Sequence, residues 1–304
     1  MLGVINFMKP PGMSSAQAVA FIKRLSGLKA GHAGTLDPEA AGVLPVLLGR
    51  ATRIADYLMA GRKVYLAEIA FGQATDTQDA QGQVTQQGDR FPDEQRLRVI
   101  LPRFTGSISQ LPPQYSALKI GGLTAYKLAR QGKRAALEPR QTEVHSIELI
   151  RAMPDQGYLL RVACGKGTYI RTLCHDIGEA LGCPSHMRLL IREESGGLQI
   201  KDAVTPEELA QAGREGFARY LLPVDQALGF LPRMEAPMGL IHLLAGGVRL
   251  SATDPRLGGA RVPEGTFRLY AGEHFVGLFS EDEGSLRART MLYVPAEGVK
   301  RADS

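Results

Sequence analysis

A chain of 304 residues suggests about two domains, at roughly 100–200 residues each. Folding at that size buries about three quarters of the unfolded surface, so the core needs no disulfide or metal. Hydrophobic content of 44% with 22% charged residues excludes a disordered chain, and no apolar run reaches the ~18–20 residues of a membrane span. Lys9-Pro10-Pro11-Gly12 comes too early for a signal peptide. Cys164, Cys174 and Cys183 form no CxxC pair, which fits a reduced, cytoplasmic protein.

The net charge of +5 is unevenly spread. Between residues 117 and 151 seven basic residues (Lys119, Lys127, Arg130, Lys133, Arg134, Arg140, Arg151) face three acidic ones (Glu138, Glu143, Glu148). From Leu231 onward the two signs balance at nine each. A basic stripe on a near-neutral body suggests a polyanionic partner, although a solvated surface has the same composition.

In chain order, residues 3–7 form an apolar strand. A helix follows from a capping box of Ser14 and Gln17, and Gly27 can stop it. A loop over 31–42 leads to an apolar run, 43–48. Ala51, Ile54, Ala55 and Leu58 then make the stripe of an amphipathic helix. Residues 64–71 alternate as a strand, and 72–90 read as a polar loop. A helix over 93–101, a strand over 115–120 and a short helix over 125–131 come next. A strand pair, 144–153 and 158–164, turns at Asp155-Gln156-Gly157, and a helix over 168–181 ends at Gly182. Thr205-Pro206 with Glu208 gives a second capping box. Short apolar runs at 267–270, 275–279 and 292–294 suggest a small β-rich module. The pattern is α+β followed by a compact β domain.

Several chemistries find little support. Asp76 to Gly82 resembles a calcium loop, but Gln87 stands where the bidentate Glu belongs, so a polar Ω-type loop is expected. Gly165-Lys166-Gly167-Thr168 lacks phosphate-loop spacing, though a basic side chain at a helix start can still receive phosphate. The histidines show no ligand spacing, and no GxSxG elbow is present. Gly31-His32-Ala33-Gly34-Thr35-Leu36-Asp37-Pro38 presents an Asp on a tight turn near a His. That suits nucleophilic or acid/base work, while Asp-Pro turns also serve plain structure.

These residues, with Lys9-Pro10-Pro11-Gly12-Met13-Ser14-Ser15 before them and Ala41-Gly42-Val43-Leu44-Pro45 after, resemble the opening of the bacterial tRNA pseudouridine-55 synthases, the TruB family. The resemblance continues through Tyr65, Thr75-Asp76-Thr77 with Asp79 and Gly82, Gln114 to Lys119, and Lys166-Gly167-Thr168-Tyr169-Ile170-Arg171. It covers about the first two thirds of the chain.

The resemblance implies an isomerase that turns the T-loop uridine 55 of tRNA into pseudouridine with no cofactor and no metal. Asp37 matches the catalytic nucleophile, attacking either C1′ of the ribose or C6 of the base. Tyr65 matches the tyrosine stacked on the target base, and Arg171 the arginine that would keep Asp37 ionised and aimed. His32 matches the residue that fills the gap left by the extruded base. Lys9 matches a lysine with either a structural or a catalytic role, and Tyr169 and Leu190 match apolar pocket positions. A segment of about 111–140 matches an RNA-clamping insertion, making Lys119, Lys127, Arg130, Lys133 and Arg134 phosphate contacts.

The implied architecture is a catalytic domain over 1–230, with a central mixed or antiparallel sheet flanked by helices. A small PUA-like β-barrel over 231–304 follows it. The partner is the T-arm of tRNA, and the protein acts as a monomer without membrane or protein partners. Met8 and Ile191 depart from the family's usual Asp and Arg. Two other readings share these motifs: an RNA-folding chaperone with dispensable catalysis, and a guide-RNA-dependent synthase. The intact Asp37, Tyr65 and Arg171 speak against the first, and the basic insertion against the second.

Overall fold

The computed structural model describes residues 2–293 apart from residues 117 and 134. Strand β1 (Gly3–Lys9) leads into helix α1 (Ser15–Ser26). The helix starts at the expected capping box, where the Ser14 hydroxyl accepts from the Gln17 amide and Gln17 Oε1 accepts from the Ser14 amide. It stops at Gly27 with φ 69°. Strands β2 (Ala30–His32) and β3 (Ala41–Leu48) follow. The helix expected over 51–58 is a 3₁₀ turn, Gly49–Ile54, running into α2 (Ala55–Ala60), and Ala51, Ile54 and Leu58 are buried as the stripe required. Next come β4 (Lys63–Phe71) and a hairpin of β5 (Gln73–Thr75) and β6 (Val84–Gln87), where only loop was expected.

Asp93 caps α3 (Glu94–Ile100), and β7 (Gly106–Gln110) follows. The strand expected over 115–120 shrinks to β8 (Lys119–Ile120), paired with β9 (Leu123–Thr124) ahead of α4 (Ala125–Arg130). Then come β10 (Arg140–Met153), β11 (Gly157–Cys164), α5 (Ile170–Leu181), β12 (Ser185–Ser195) and β13 (Leu198–Gln199). Helix α6 (Pro206–Gly216) begins at the Thr205–Glu208 capping box, and α7 (Val224–Ala227) is a single turn. The last segment holds β14 (Arg233–Ala236), α8 (Ile241–Ala245), β15 (Leu250–Ser251), β16 (Thr266–Ala271), β17 (His274–Asp282) and β18 (Ser285–Met291).

The larger sheet has nine strands along β1-β3-β12-β4-β11-β10-β7, with β2 on β3 and β13 on β12. Only β3 and β12 pair in parallel, so the sheet is mixed. Side chains alternate across a strand. Accordingly Leu44, Val46 and Leu48 of β3 pack on one face with Ile22, Leu173 and Ile177 of α1 and α5. Val43 and Leu47 pack on the other face with Ile54, Leu58 and Leu228. A strand covered on both faces reads as an unbroken apolar run, which is what 43–48 does.

Strand β12 crosses the middle of this sheet and was not expected from the sequence. Bulges between Met187 and Leu189 and between Arg192 and Glu194 interrupt its alternation, so no two-residue period is visible. Its parallel contact with β3 is close at Gly42, where a Cβ would lie 2.3 Å from the Arg192 carbonyl oxygen and φ is +108°. Only glycine fits there.

The second sheet runs β14-β16-β17-β18-β15 around Phe267, Leu269, Val276, Phe279 and Leu286. Among the described residues its end strands do not pair, so it is an open five-stranded sheet and not the expected closed barrel. The apolar run expected over 292–294 is not a strand in its described part, and Val294 lies outside the described residues. Leu278 and Leu292 share a buried cluster with Val4, Leu47 and Val224 of the first sheet's far face. Arg268 reinforces this junction by donating to the carbonyls of Leu231 and Asp225, each at 3.0 Å.

Candidate active site

The turn that carries Asp37 joins β2 to β3 and is fastened from three sides. Ser15 Oγ donates to the Leu36 carbonyl and accepts from the Leu36 amide, at 3.0 and 2.9 Å. Lys9, fully buried, donates from Nζ to the carbonyls of Pro10, Met13 and Pro38 at 2.8, 2.6 and 2.9 Å. Arg192 Nη2 donates to the Gly34 carbonyl at 2.9 Å. A turn held this way presents its side chain without local freedom.

Arg171, in the first turn of α5, receives that side chain as a two-pronged pair. Its Nε lies 3.0 Å from Asp37 Oδ2 and its Nη2 lies 3.3 Å from Asp37 Oδ1. The rest of the guanidinium is used as well. Nη1 reaches Asp79 Oδ2 at 3.4 Å and the Thr77 carbonyl at 3.2 Å, and Nη2 reaches the Tyr115 carbonyl at 2.9 Å. A planar fork shared by two carboxylates and two carbonyls has one orientation. Burial pushes the Asp37 carboxyl above its ordinary range; Arg171 opposes that push, Asp79 adds to it, and Lys9 opposes it more weakly. The Arg171 charge favours the ionised form of Asp37, but burial is the larger effect.

The Asp76–Gly82 segment is a seat for this arginine. Asp76 Oδ1 accepts from the Gln83 amide at 2.8 Å, and Asp79 Oδ1 accepts from Thr77 Oγ1 at 2.6 Å and the Gln81 amide at 3.0 Å. Thr172 Oγ1, next to Arg171, donates to Gln78 Oε1 at 2.8 Å. The Asx-type turns point the Asp79 carboxylate and the Thr77 carbonyl at α5.

Asp37 and Arg171 line a cleft of about 500 Å³ together with Tyr65, Tyr169 and Leu190. Five sequence-selected residues therefore meet in one place. Tyr65 projects from β4, and burial raises its hydroxyl pKa while the nearby Arg192 charge holds it back. Tyr169 is anchored through its backbone, its amide donating to Gln110 Oε1 at 3.0 Å and its carbonyl accepting from Gln110 Nε2 at 3.2 Å. The cleft also takes in Lys166 of the Gly165–Thr168 turn, and Asp56, Met59, Lys63 and Arg192, which no sequence motif singles out. Lys63 donates to the carbonyls of Met59 and Gly61, and burial lowers its pKa to about 8.

The other candidates lie apart from the cleft. Lys9 sits behind the Asp37 turn with every proton of its ammonium engaged, and burial first of all brings its pKa down to about 8. His32, half-buried on β2, is kept below its usual pKa by burial and then by Arg192. Lys127 and Lys133 are exposed on and just after α4. Arg134 lies outside the described residues, as do the side chains of Lys119 and Arg130. The insertion is closed at its foot by Gln114, which accepts from the Ala135 amide at 2.8 Å and donates to the Ala135 carbonyl at 3.1 Å.

The same chain matches two family models. Residues 22–170 match the N-terminal domain of the TruB family pseudouridylate synthases, and residues 171–229 match the tRNA pseudouridylate synthase B C-terminal domain. A tRNA pseudouridine synthase B of Pelotomaculum thermopropionicum is 43% identical over 257 residues, covering 82% of this chain and 81% of that protein. One of Symbiobacterium thermophilum is 46% identical over 255 residues, covering 81% and 84%. Among solved structures, an H/ACA RNP bound to a substrate RNA containing 2′-deoxyuridine superposes with a TM-score of 0.73 at 25% identity, over 96% of this chain and 85% of that one. The fold and site thus define a pseudouridine synthase class, and the chain belongs to the TruB family of pseudouridylate synthases.

Proposed function

We propose that this protein isomerises uridine 55 in the T-arm of tRNA to pseudouridine, acting in the cytoplasm as a monomer without a cofactor. The observation that carries the reading is the Asp37–Arg171 pair at the floor of the cleft, with Tyr65 beside it. Ionised Asp37 attacks C1′ of the ribose or C6 of the base, and the C1′–N1 bond breaks. The uracil turns in the cleft, C5 bonds to C1′, the bond to Asp37 is released, and C5 gives up its proton while N1 takes one up. A carboxylate needs only aim and shielding for this, which Arg171 and the fastened turn supply. The target base must leave its stack to reach the cleft; Tyr65 offers a ring face to receive it, and His32 is the candidate to occupy the gap.

The insertion over 111–140 presents Lys127 and Lys133 to the phosphates of the arm. Residues 1–230 form the catalytic domain and residues 231–304 a PUA-like domain, supported by the separate sheet and core around Phe267 and Phe279. The test is release of tritium from tRNA transcript labelled at uracil C5. Wild type should release it, and Asp37→Asn should lower the rate at least 10⁴-fold, an amount within what covalent catalysis contributes. Absence of release by wild type overturns the reading; equal release by Asp37→Asn overturns the assignment of the nucleophile.

A further inference from the structure

The turn over 165–168 joins β11 to α5 and takes no part in the reaction proposed above. The sheet places it beside the start of β4. In the antiparallel ladder of these two strands the terminal pair is Lys63 with Cys164. Arg62 and Gly165 therefore leave the sheet side by side, and Lys166 follows. The turn is held from β10 as well. The Gly165 amide donates to the Glu143 carbonyl at 2.8 Å, and the hydroxyls of Thr168 and Thr142 share a hydrogen bond at 2.5 Å.

Gly165 and Lys166 form a lip between two hollows. On one side is the Asp37 cleft, and on the other a trough of about 450 Å³ takes in Arg62, Ser107, Gln141 and His145. Of the four cations lining the cleft, Lys63, Arg171 and Arg192 are buried and Lys166 is exposed, so Lys166 marks the mouth. Arg62, on the trough side, is exposed too. Among the described residues neither side chain has a hydrogen bond or an acid within 4.0 Å. Across both hollows five cations stand against three acids. Asp37 is held by Arg171 and Glu143 lies 3.6 Å from His145, which leaves Asp56. The turn is also bare: Gly167 has φ +86° and no atom within 4 Å of where its Cβ would stand, so a ligand can approach the backbone there.

We propose that Arg62 and Lys166 form a phosphodiester-binding site, which carries the substrate strand from the cleft over the lip and into the trough. It rests on the function proposed above, since it takes the cleft to hold an extruded uracil. An extruded base stays tied through its ribose to a phosphodiester on either side, so those groups must lie at the mouth of the cleft. Cations with no other partner stand at that mouth. A guanidinium can grip a phosphate through two nitrogens, while an ammonium acts as a point charge. The pair thus fixes where the strand runs without reading a base. Lys127 and Lys133 of the insertion line neither hollow and act elsewhere on the arm.

The test crosses variants of the full chain with variants of the RNA. The probe is a T-arm stem-loop in which the phosphates on either side of the target uridine, and the next on each side, are replaced one at a time by an uncharged methylphosphonate. Lys166→Ala and Arg62→Ala should each lower the slope of log affinity against log salt by about 0.7, as for one phosphate on a single strand. Each should weaken binding about fivefold near 0.1 M salt, and Lys166→Arg should restore the slope. At the linkage that a cation contacts, the methylphosphonate should cost wild type a similar factor and the matching alanine variant less than about twofold, because the two changes remove one interaction. Thermal midpoints should stay within about 2 °C of wild type, since neither side chain has a partner to lose.

Unchanged slopes in both alanine variants overturn the proposal. So do methylphosphonate costs that are equal with and without the cation at every linkage, and so does a midpoint that falls with the affinity, which would mark a structural role. Tritium release by wild type is measured on the same RNA. Its absence strikes the proposed function, whereas release together with unchanged slopes strikes the phosphodiester site alone.

Discussion

The floor of the cleft and the insertion over 111–140 use the same two residue types in opposite ways. Lys63, Arg171 and Arg192 in the cleft, and Lys9 behind the Asp37 turn, are 5%, 6%, 1% and 0% exposed, and each donates to backbone carbonyls. Lys127 and Lys133 stand in solvent on short elements between β9 and β10. A buried cation fixes geometry because every donor must find an acceptor, and few arrangements satisfy all of them. An exposed cation adds to a field that falls away within a Debye length of about 8–10 Å. The net charge of +5 counts both kinds alike, which is why the total says little about binding. Among the described residues the two regions meet where Arg171 donates to the carbonyl of Tyr115, at the foot of the insertion, next to Ser116, which lines the cleft.

If buried cations set geometry, the largest effect after loss of Asp37 itself should come from Arg171. Arg171→Met should cut the single-turnover rate about a thousandfold, in the range seen when a preorganised donor is removed. Arg171→Lys should retain part of the rate, since an ammonium replaces the charge but not the fork. The pH profile gives the sign of the interaction. Burial already lifts the Asp37 pKa, and Arg171 is the strongest influence holding it down. In the proposed reaction Asp37 attacks only when ionised, so the rate should fall as pH drops through its folded pKa. Without Arg171 that pKa rises, and the acid limb should move to higher pH. A limb that stays in place would mean that Arg171 orients the carboxylate without stabilising its charge.

Lys9 should break differently, in stability more than in chemistry. Lys9→Met leaves the carbonyls of Pro10, Met13 and Pro38 without their donor. Each orphaned acceptor costs about 1–3 kcal/mol, offset in part because an ammonium no longer has to be buried. A net loss of about 2–4 kcal/mol corresponds to a fall of roughly 5–15 °C in thermal midpoint. Differential scanning calorimetry measures it, and a midpoint within 1–2 °C of wild type would return Lys9 to the list of substrate contacts.

What the sequence made legible follows the same division. Local rules were readable: both capping boxes, the glycine stops at Gly27 and Gly182, and the continuous run of β3 appear where turn chemistry and periodicity put them. Asp37, Tyr65 and Arg171 were found through long motifs, and they do meet. Strand β12 was lost because two bulges break its alternation and its charges resemble a surface segment. Arg192 was lost with it, since nothing local distinguishes a buried arginine from an exposed one. Asp79 sat in a loop whose purpose appears only when α5 is packed against it. Closure of the second sheet is likewise a long-range property: apolar runs indicate strands but do not say whether the first pairs with the last.

The smallest expected effect lies in the insertion, and it is the one that separates the two regions most cleanly. Each lysine that neutralises a phosphate contributes about 0.7–0.9 to the slope of log affinity against log salt. Lys127→Ala with Lys133→Ala should therefore reduce that slope by about 1.5 and weaken tRNA binding about tenfold near 0.1 M salt. Filter binding across a salt series reads both quantities at once. Arg171→Met should leave the slope where it is, because its guanidinium is already occupied by Asp37, Asp79 and two carbonyls. If the lysine pair shifts the rate but not the slope, the insertion acts through its foot at Tyr115 and not through its charge.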